Sequence, residues 1–164
     1  MEREIRNSAK ALIIKNGKML AIKLDDNGDV FYIMPGGGQN SEETLTDAVK
    51  REVAEELGIH IEPRSLEFVI EGVHGESFHR VDMIFLCDYV GLINDPALQV
   101  DKNQVGFEWL DIEKLIEEPL YPSKLRQQIK RLFKGERTVV YLGNEEVGDP
   151  VCNETNELYE EIKQ

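Results

Sequence analysis

Residues 37–59 read GGQNSEETLTDAVKREVAEELGI, and this stretch places four of its glutamates, its arginine and two of its glycines at fixed intervals. The pattern is G-x5-E-x7-R-E-U-x-E-E-x-G-U, in which U is a bulky aliphatic residue. Its occupants are Gly37, Glu43, Arg51, Glu52, Val53, Glu55, Glu56, Gly58 and Ile59. Apolar residues recur with helical spacing over residues 44–57, and the glycine that follows is suited to ending a helix. The stretch therefore predicts one short helix.

Three carboxylates of this helix share one face. Glu52, Glu55 and Glu56 stand at positions i, i+3 and i+4. Like charges at this spacing repel each other by roughly a few tenths of a kcal/mol per pair, and the negative end of the helix dipole adds to the conflict. A divalent cation resolves it, because clustered carboxylate oxygens are ligands that Mg²⁺ and Mn²⁺ prefer.

The alternative is a solvated acidic face on the helix. At 100° per residue, however, Glu52 and Glu56 fall in the same sector as the apolar stripe of the helix. That stripe contains Leu45, Ala48 and Val49. The carboxylates are therefore expected at the rim of a buried face, looking into a cleft.

Two neighbouring features are expected to shape this cleft. Arg51 stands four positions before Glu55 and can hold that carboxylate, with an ordinary surface ion pair as the alternative. The run Pro35-Gly36-Gly37-Gly38 precedes the helix. Its glycines let the backbone approach a ligand closely, with a plain turn as the alternative. Gly37 and Gly38 are therefore candidate substrate-binding residues.

The composition limits the function classes. A chain of 164 residues suits one domain with a substantial core. Its formal net charge of −13 argues against binding to nucleic acid, and it would repel a polyphosphate substrate unless metal ions mediate. The cysteines, Cys87 and Cys152, are too few for a disulfide framework and lack ligand spacing. Because neither a signal sequence nor an apolar run near about 18 residues is found, a cytoplasmic protein without a membrane partner is expected.

Hydrophobic periodicity predicts an α/β protein with mixed strand pairing. The Asn16-Gly17 turn indicates a hairpin. Strands are predicted at residues 11–14, 19–24, 31–34, 66–73, 81–90, 107–110 and 138–142, and helices at residues 112–117 and 123–134. The domain is expected to span residues 1–142. Residues 143–164 are acidic and weakly apolar, which predicts either a mobile tail or a helix that contacts a partner.

Two further groups of residues have ordinary interpretations. His74 and His79 lack the spacing of a helical metal pair and are assigned to a loop at the mouth of the cleft, where His79 is a candidate substrate contact. The basic residues between positions 124 and 134 predict a solvated helix face. An anion site or a contact in a homodimer is the second interpretation of that face.

The chain resembles the Nudix hydrolases, because the pattern over residues 37–59 matches the Nudix box at every position. The likeness is specific over residues 35–59 and loose over residues 8–142. It implies an α/β/α sandwich in which a mixed β-sheet lies between helices, with the box as a loop-helix-loop. It also implies hydrolysis of a nucleoside diphosphate linked to another group, with Mg²⁺ or Mn²⁺ as the cofactor.

The same resemblance implies roles for the box residues. The implied metal ligands are Gly36 through its carbonyl, Glu52, Glu55 and Glu56. Arg51 and Glu43 would hold the box in shape, and the implied catalytic set of the box is Arg51, Glu52 and Glu55. The implied reaction is attack of a water on one phosphorus of the diphosphate.

A further acid outside the box often completes such sites, as a metal ligand or as the general base. The candidates are Asp101 and Glu108, which lie near the late strand. Glu76 is the third candidate and is also a candidate substrate contact. Each of the three has a surface carboxylate as its alternative, because no motif fixes any of them.

The signatures of several Nudix branches are missing downstream of the box. There is no proline near Gly75 for ADP-ribose hydrolysis, no tyrosine near Ser77 for dinucleoside polyphosphates, and no SQPWPFPxS sequence for NADH. A nucleoside triphosphate is therefore preferred as the substrate, before a nucleotide sugar or another nucleoside diphosphate derivative. The alternative function is a non-catalytic Nudix domain that senses a nucleotide and regulates a partner, and the complete set of box acids argues against it.

Overall fold

The computed structural model describes residues 3–75, 77–100 and 102–152. Its elements are β1 (Ile5–Lys15), β2 (Lys18–Asp26), β3 (Asp29–Ile33), β4 (Gly36–Gly38), α1 (Leu45–Leu57), β5 (Ile59–Gly72), β6 (His79–Leu92), β7 (Gln104–Asp111), a 3₁₀ helix (Ile112–Glu117), β8 (Leu120–Tyr121), α2 (Lys124–Phe133) and β9 (Tyr141–Asn144). β1 and β5 begin earlier than predicted, and β9 lies slightly later than its prediction. Neither α-helix in the described ranges has the length and apolar character needed to cross a membrane.

The strands form one mixed sheet with two halves. In the first half β1 and β6 run parallel, with register from Ile5↔His79 to Ile13↔Cys87, and β6 pairs antiparallel with β5. The second half consists of β7, β2, β3 and β8. The halves join where β1 turns into β2 at residues 16 and 17. The predicted α/β class with mixed pairing is confirmed.

Two Asn-Gly turns connect the first three strands. The first joins β1 to β2, and the second joins β2 to β3. Asn16 and Gly17 have φ angles of 53° and 75°, and Asn27 and Gly28 have φ angles of 52° and 97°. Left-handed backbone at both central residues is the geometry that a two-residue hairpin requires, and Asn and Gly tolerate it best. The predicted hairpin at Asn16-Gly17 is therefore confirmed.

The core has two parts, one on each face of the sheet, because alternate side chains of a strand point to opposite faces. Ile13 of β1 packs in a cluster with Val53 of α1. Leu12, its neighbour, packs in the other cluster with Leu115 of the 3₁₀ helix and Ile129 of α2. All five are fully buried, which stabilises the fold by about 1.5–3 kcal/mol for each large side chain. The sheet thus lies between α1 and the α2 layer, and the predicted sandwich is confirmed.

The basic side chains of α2 do not form a uniformly solvated face, so that prediction is wrong in part. Arg126 is buried, and its Nε donates to the carbonyl of Leu120 at 2.8 Å. Lys124 is partly buried, and its Nζ donates to the carbonyl of Asn144 at 3.1 Å. Both side chains tie α2 to neighbouring segments, because a buried cation needs acceptors nearby.

The chain continues past β9 and returns to the start of α2. The Glu145 N–H donates to the Glu71 carbonyl at 3.0 Å, and the Cys152 N–H donates to the Ser123 hydroxyl at 2.9 Å. We call residues 145–149 the C-terminal strap. The division at residue 142 stays a prediction. The prediction of a mobile tail or interface helix falls largely on residues 153–164, which lie outside the described residues.

Candidate active site

Helix α1 begins and ends as its sequence predicts. Thr44 lies in extended backbone before the helix, and its hydroxyl accepts the Asp47 N–H at 3.1 Å, which satisfies one free donor of the first turn. Gly58 ends the helix with φ of 65°, and its N–H donates to the Ala54 carbonyl. A side chain at Gly58 would also collide with Pro96, since its Cβ would lie 2.8 Å from the Pro96 Cγ.

The glycine run is a strand rather than a plain turn. In β4, Gly36 and Gly37 pair antiparallel with Lys10 and Ala9 of β1. Gly36 has φ of 135°, and a Cβ there would lie 2.2 Å from the Ala9 carbonyl oxygen. A Cβ on Gly37 would lie 2.5 Å from the Glu52 carboxyl carbon. The run therefore lets β4 lie against β1 on one side and lets the Glu52 carboxylate reach the backbone on the other.

Arg51 lies at the centre of the box and donates from all three of its side-chain nitrogens. Nε and Nη2 hold the two Glu43 oxygens at 2.7 and 2.9 Å, and Nη2 also donates to the Gly38 carbonyl at 2.9 Å. Nη1 lies 3.0 Å from a Glu52 oxygen and 3.3 Å from a Glu55 oxygen. The hydrogen bonds from Arg51 lower the pKa of Glu43 from its ordinary 4.5 to about 2, and the bond with Glu43 raises the pKa of Arg51.

Glu56 has a different partner. It is 9% exposed, and its Oε1 accepts the Gly36 N–H at 2.7 Å. A carboxylate this deeply buried needs such a donor, because burial disfavours its charge. This bond fastens the last turn of α1 to β4.

The repulsion expected among the box carboxylates is therefore relieved in part by the protein itself. Glu52 and Glu55 share the Arg51 guanidinium, and Glu56 has the Gly36 N–H. Within the described ranges, no group of three or more His, Cys, Asp or Glu side chains is gathered as a ready metal site. Arg51 and the Gly36 N–H thus offset part of the repulsion that the sequence assigned to a cation alone.

The donor set nevertheless fits a hard divalent cation. Three carboxylates and the Gly36 carbonyl supply only oxygen, which is what Mg²⁺ and Mn²⁺ prefer. The Glu52 carboxylate lies in the space that a Gly37 side chain would fill. The Gly36 carbonyl accepts a 3.4 Å hydrogen bond from Lys10 Nζ, so a cation at that oxygen would stand in place of the lysine. Glu52 and Glu55 would turn from Arg51 to complete the set.

A cavity of about 700 Å³ opens on the other side of β4. It adjoins the box at Gly37 and Gly38 and lies on the face of the sheet that carries α2. Its size suits a small-molecule ligand. Its apolar lining includes Phe31, Ile33, Met34, Phe78, Ile84, Tyr121 and Leu125, and its charged lining comprises Arg6, Lys10, Arg80, Asp82, Glu145, Glu146 and Asp149.

Asp82 is the most buried charged residue in this lining. It is 3% exposed, and its Oδ2 accepts from Arg80 Nε at 2.8 Å. None of the described residues donates to its Oδ1. Leaving a buried polar atom unpaired costs about 1–3 kcal/mol, so the arrangement calls for an explanation. The sequence carried a signal for it, because Asp82 interrupts the apolar alternation of β6 at an inward position.

The C-terminal strap closes one side of the cavity. Glu145 is buried and accepts from the Ser123 N–H, the Ser123 hydroxyl and the Lys124 N–H, at 2.6 to 3.0 Å. Glu146 accepts from the N–H groups of His74 and Gly75 at 2.7 and 2.6 Å. Burial raises the pKa of Glu146, but the backbone donors outweigh it and the net shift is downward. Sequence reasoning missed the strap because its anchors lie far away in the chain.

Of the predicted acids outside the box, the structure describes only Glu108, and its hydrogen-bond partners are not box residues. Glu108 accepts from Lys23 Nζ at 3.0 Å and from the Tyr32 hydroxyl at 2.8 Å, and these bonds lower its pKa. A lowered pKa makes a carboxylate a weaker base. Glu108 alternates with Trp109 and so shares the face of Leu110, which packs in the α2-side cluster rather than against α1. The two other candidates, at positions 76 and 101, lie outside the described residues.

His79 is the first residue of β6 and not part of a loop. Its Nε2 lies 2.8 Å from a Glu71 oxygen, and the Tyr141 hydroxyl donates to the other Glu71 oxygen at 2.5 Å. The cavity is lined by its neighbours Phe78 and Arg80, whereas His79 is not among the lining residues.

The fold has many solved relatives. A NUDIX hydrolase from Nitrosomonas europaea superposes with a TM-score of 0.66 at 20% identity, covering 83% of this chain and 92% of its own. An ADP-ribose pyrophosphatase from Streptococcus suis superposes with a TM-score of 0.60 at 20% identity, covering 85% of this chain and 97% of its own. A MutT protein from Methanosarcina mazei superposes with a TM-score of 0.60 at 23% identity, covering 84% of this chain and 99% of its own. At these identities the likeness is one of fold.

Among curated proteins, no sequence relative matches the chain. The sequence profile of the NUDIX domain matches residues 5–133, which span β1 through α2. The box, the helix that carries it and the sheet that supports it all lie inside this match. The chain therefore belongs to the Nudix family.

Proposed function

We propose that this protein is a divalent-metal-dependent hydrolase that cleaves a diphosphate linkage in a nucleoside diphosphate derivative, with a nucleoside triphosphate as the first candidate substrate. One observation carries the proposal: the Glu52 carboxylate lies against Gly37, and Gly37 also lines the cavity. A substrate seated in the cavity would therefore reach the box carboxylates across β4.

The rim of the cavity can hold phosphates in spite of the net charge of −13. Lys10 donates to the Gly36 carbonyl, so its charge lies where the cavity meets the box. Arg6 and Arg80 line the same cavity. Guanidinium and ammonium groups bind phosphate oxygens through charge-assisted hydrogen bonds. The apolar walls beyond them suit the nucleoside part of the substrate.

The box residues divide the remaining work. Glu52, Glu55, Glu56 and the Gly36 carbonyl would hold the cation. When bound, a divalent cation polarises the phosphoryl oxygens, lowers the pKa of the attacking water and neutralises charge on the leaving group. Arg51 is fixed by Glu43 and holds Glu52 and Glu55 through Nη1 until they turn to the cation. Glu55 has the longest of these contacts, so it is the box carboxylate freest to turn towards a water and accept its proton.

The test is a phosphate- and pyrophosphate-release screen with Mg²⁺, with Mn²⁺ and with EDTA. The panel contains the ribo- and deoxyribonucleoside triphosphates, a nucleotide sugar, ADP-ribose and a dinucleoside tetraphosphate. We expect turnover of at least one nucleoside triphosphate that disappears in EDTA. Binding of nucleotides without turnover would instead favour a sensor domain, and turnover that persists in EDTA would contradict the role assigned to the cation.

Three expectations about the molecule's surroundings stay predictions. They are a cytoplasmic location, the absence of a nucleic-acid partner and a homodimer. Light scattering at several concentrations measures the oligomeric state directly. A monomer at all concentrations would remove the homodimer from the account without affecting the hydrolase proposal.

A further inference from the structure

We propose that Asp82 is a specificity-determining residue that selects nucleotides whose base carries an amino group. The inference rests on the proposed function, because it takes the cavity as the seat of the nucleoside part of the substrate. It goes beyond that function by naming the class of base and the side chain that recognises it.

The first step is the position of Asp82. It lies on β6 beside Ser8 of β1, with which it is in register, and both are buried and line the cavity. Val81 and Met83 point to the opposite face and pack in the α1-side cluster. Asp82 is therefore presented to the cavity and not to the box helix.

The second step is that the protein leaves one Asp82 oxygen unpaired. Arg80 Nε serves Oδ2, and none of the described residues donates to Oδ1. The Arg80 guanidinium is held over Gly72, where a Cβ would lie 2.9 Å from Arg80 Nη2. The other cationic side chains of the lining, Arg6 and Lys10, do not reach Oδ1 either. A ligand that brings an N–H donor into the cavity would supply the missing partner.

The third step is the chemistry of the ligand. The apolar part of the cavity lining includes Met34, Ile84 and Leu125, which suit a flat base. Adenine, cytosine and guanine each carry an exocyclic amino group that can donate to a carboxylate oxygen. Uracil and thymine present their single ring N–H between two carbonyl oxygens, which a carboxylate repels. A buried carboxylate therefore distinguishes the amino-bearing bases from the others.

The experiment compares kcat/KM for ATP, CTP and GTP with that for UTP, dTTP and purine riboside triphosphate, whose base carries neither an amino group nor a ring N–H. We expect the amino-bearing nucleotides to be preferred by about 10- to 100-fold, the range for a hydrogen bond to a charged group. Asp82→Asn should reduce this ratio to within about threefold or reverse it, because an amide can donate as well as accept. Asp88→Asn is the matched control, since Asp88 lies on the same strand but is exposed and outside the cavity.

The outcomes separate this inference from the proposed function. Equal kcat/KM for all bases in the wild-type protein, or an unchanged ratio in a folded Asp82→Asn, would overturn the role of Asp82 while the hydrolase stands. If no nucleotide is hydrolysed, calorimetric binding of AMP against UMP and purine riboside monophosphate tests the base preference alone. The comparison of ATP with purine riboside triphosphate needs no variant, so it decides the matter even if Asp82→Asn fails to fold.

Discussion

Arg51 and Asp82 lie on either side of the same glycine strand, and they differ in how many of their polar atoms have hydrogen-bond partners. Arg51 has an acceptor for each of its three nitrogens, all within the 22 residues from Gly38 to Ile59 that a single motif covers. Asp82 keeps one oxygen without a donor among the described residues, in a cavity assembled from segments between positions 6 and 149. The side chain of Arg51 thus finds its partners within the box, whereas the cavity contains a buried carboxylate oxygen that no described residue serves.

This difference separates reaction from recognition. A short motif can encode a reaction because its acids and its arginine lie on one helix and in the loop before it. Recognition depends on side chains that meet only when β1, β6, α2 and the C-terminal strap are in place. Each prediction below breaks one side of the comparison and leaves the other intact.

The largest effect is expected for the box carboxylates. Glu55→Gln and Glu56→Gln should each lower kcat by at least about 100-fold, because an amide is a poor ligand for a hard cation and a poor base. Both variants should stay folded, since a glutamine can still accept the Gly36 N–H that Glu56 accepts. Steady-state kinetics with circular dichroism checks this. Glu62→Gln is the control, because Glu62 is half exposed and pairs with Lys50, a residue to which no role in cation binding is assigned. Near-native rates in either box variant would refute the ligand assignment.

A second prediction concerns the close approach of β4 and β1. Gly36→Ala should destabilise the fold by roughly 2–4 kcal/mol, because its φ is 135° and its Cβ would lie 2.2 Å from a backbone oxygen. Gly38→Ala should change stability by less than about 0.5 kcal/mol, since a Cβ there meets nothing within 4 Å. Urea unfolding measures both variants. Equal losses of stability in the two variants would contradict this explanation, because the close approach to β1 is found at Gly36 and not at Gly38.

Substitution of Arg51 should lower the free energy of unfolding by less than the Gly36 substitution does, but by a measurable amount. Arg51→Gln should lower the free energy of unfolding by about 1–3 kcal/mol, because Glu43, Glu52 and Glu55 lose their shared cation. Arg64→Gln, at an exposed ion pair with Asp88, should cost less than about 0.5 kcal/mol.

The same variant tests whether Arg51 or a bound Mg²⁺ offsets the repulsion among the box carboxylates. In the wild-type protein Arg51 already neutralises two carboxylates, so Mg²⁺ should raise the melting temperature only modestly. In Arg51→Gln the rise should be larger, because repulsion is then unrelieved. A smaller rise in the variant would mean that Arg51 prepares the cation site rather than substituting for its charge.

The smallest effect is expected for the contribution of Glu43 to stability as the pH is lowered. The pKa of Glu43 is lowered from 4.5 to about 2 in the folded protein, so its contribution to stability is present above pH 4.5 and is lost as the pH falls towards 2. Glu43→Gln should therefore lose less stability than the wild-type protein between pH 5 and pH 3. Urea unfolding at both pH values checks the sign. An equal loss in the two proteins would show that other carboxylates dominate the acid response.

Sequence reasoning predicted the local features well, because their causes are local. The C-cap at Gly58 and the turn at Asn16-Gly17 both follow from backbone conformations that only a few residue types favour. The prediction for the box was incomplete at one point. It placed Arg51 on Glu55 but did not see that the arginine also serves Glu43 and Glu52, because that requires the loop before the helix to fold back.

The cavity could not be predicted for a different reason. Asp82, Glu145 and Glu146 carry no motif, and their partners at Arg80, Ser123 and Gly75 were fixed only by strand register and by the return of the strap. The acid expected outside the box shows the same limit. Glu108 is near the right strand in sequence, but strand alternation turns it towards Tyr32 and away from the box helix.

The separation of reaction from recognition is tested most directly by measuring kcat/KM for ATP and for UTP in three proteins: wild type, Glu55→Gln and Asp82→Asn. The account predicts that Glu55→Gln lowers both values by the same factor and keeps their ratio, whereas Asp82→Asn changes the ratio. A changed ratio in Glu55→Gln, or an unchanged ratio in Asp82→Asn, would contradict it.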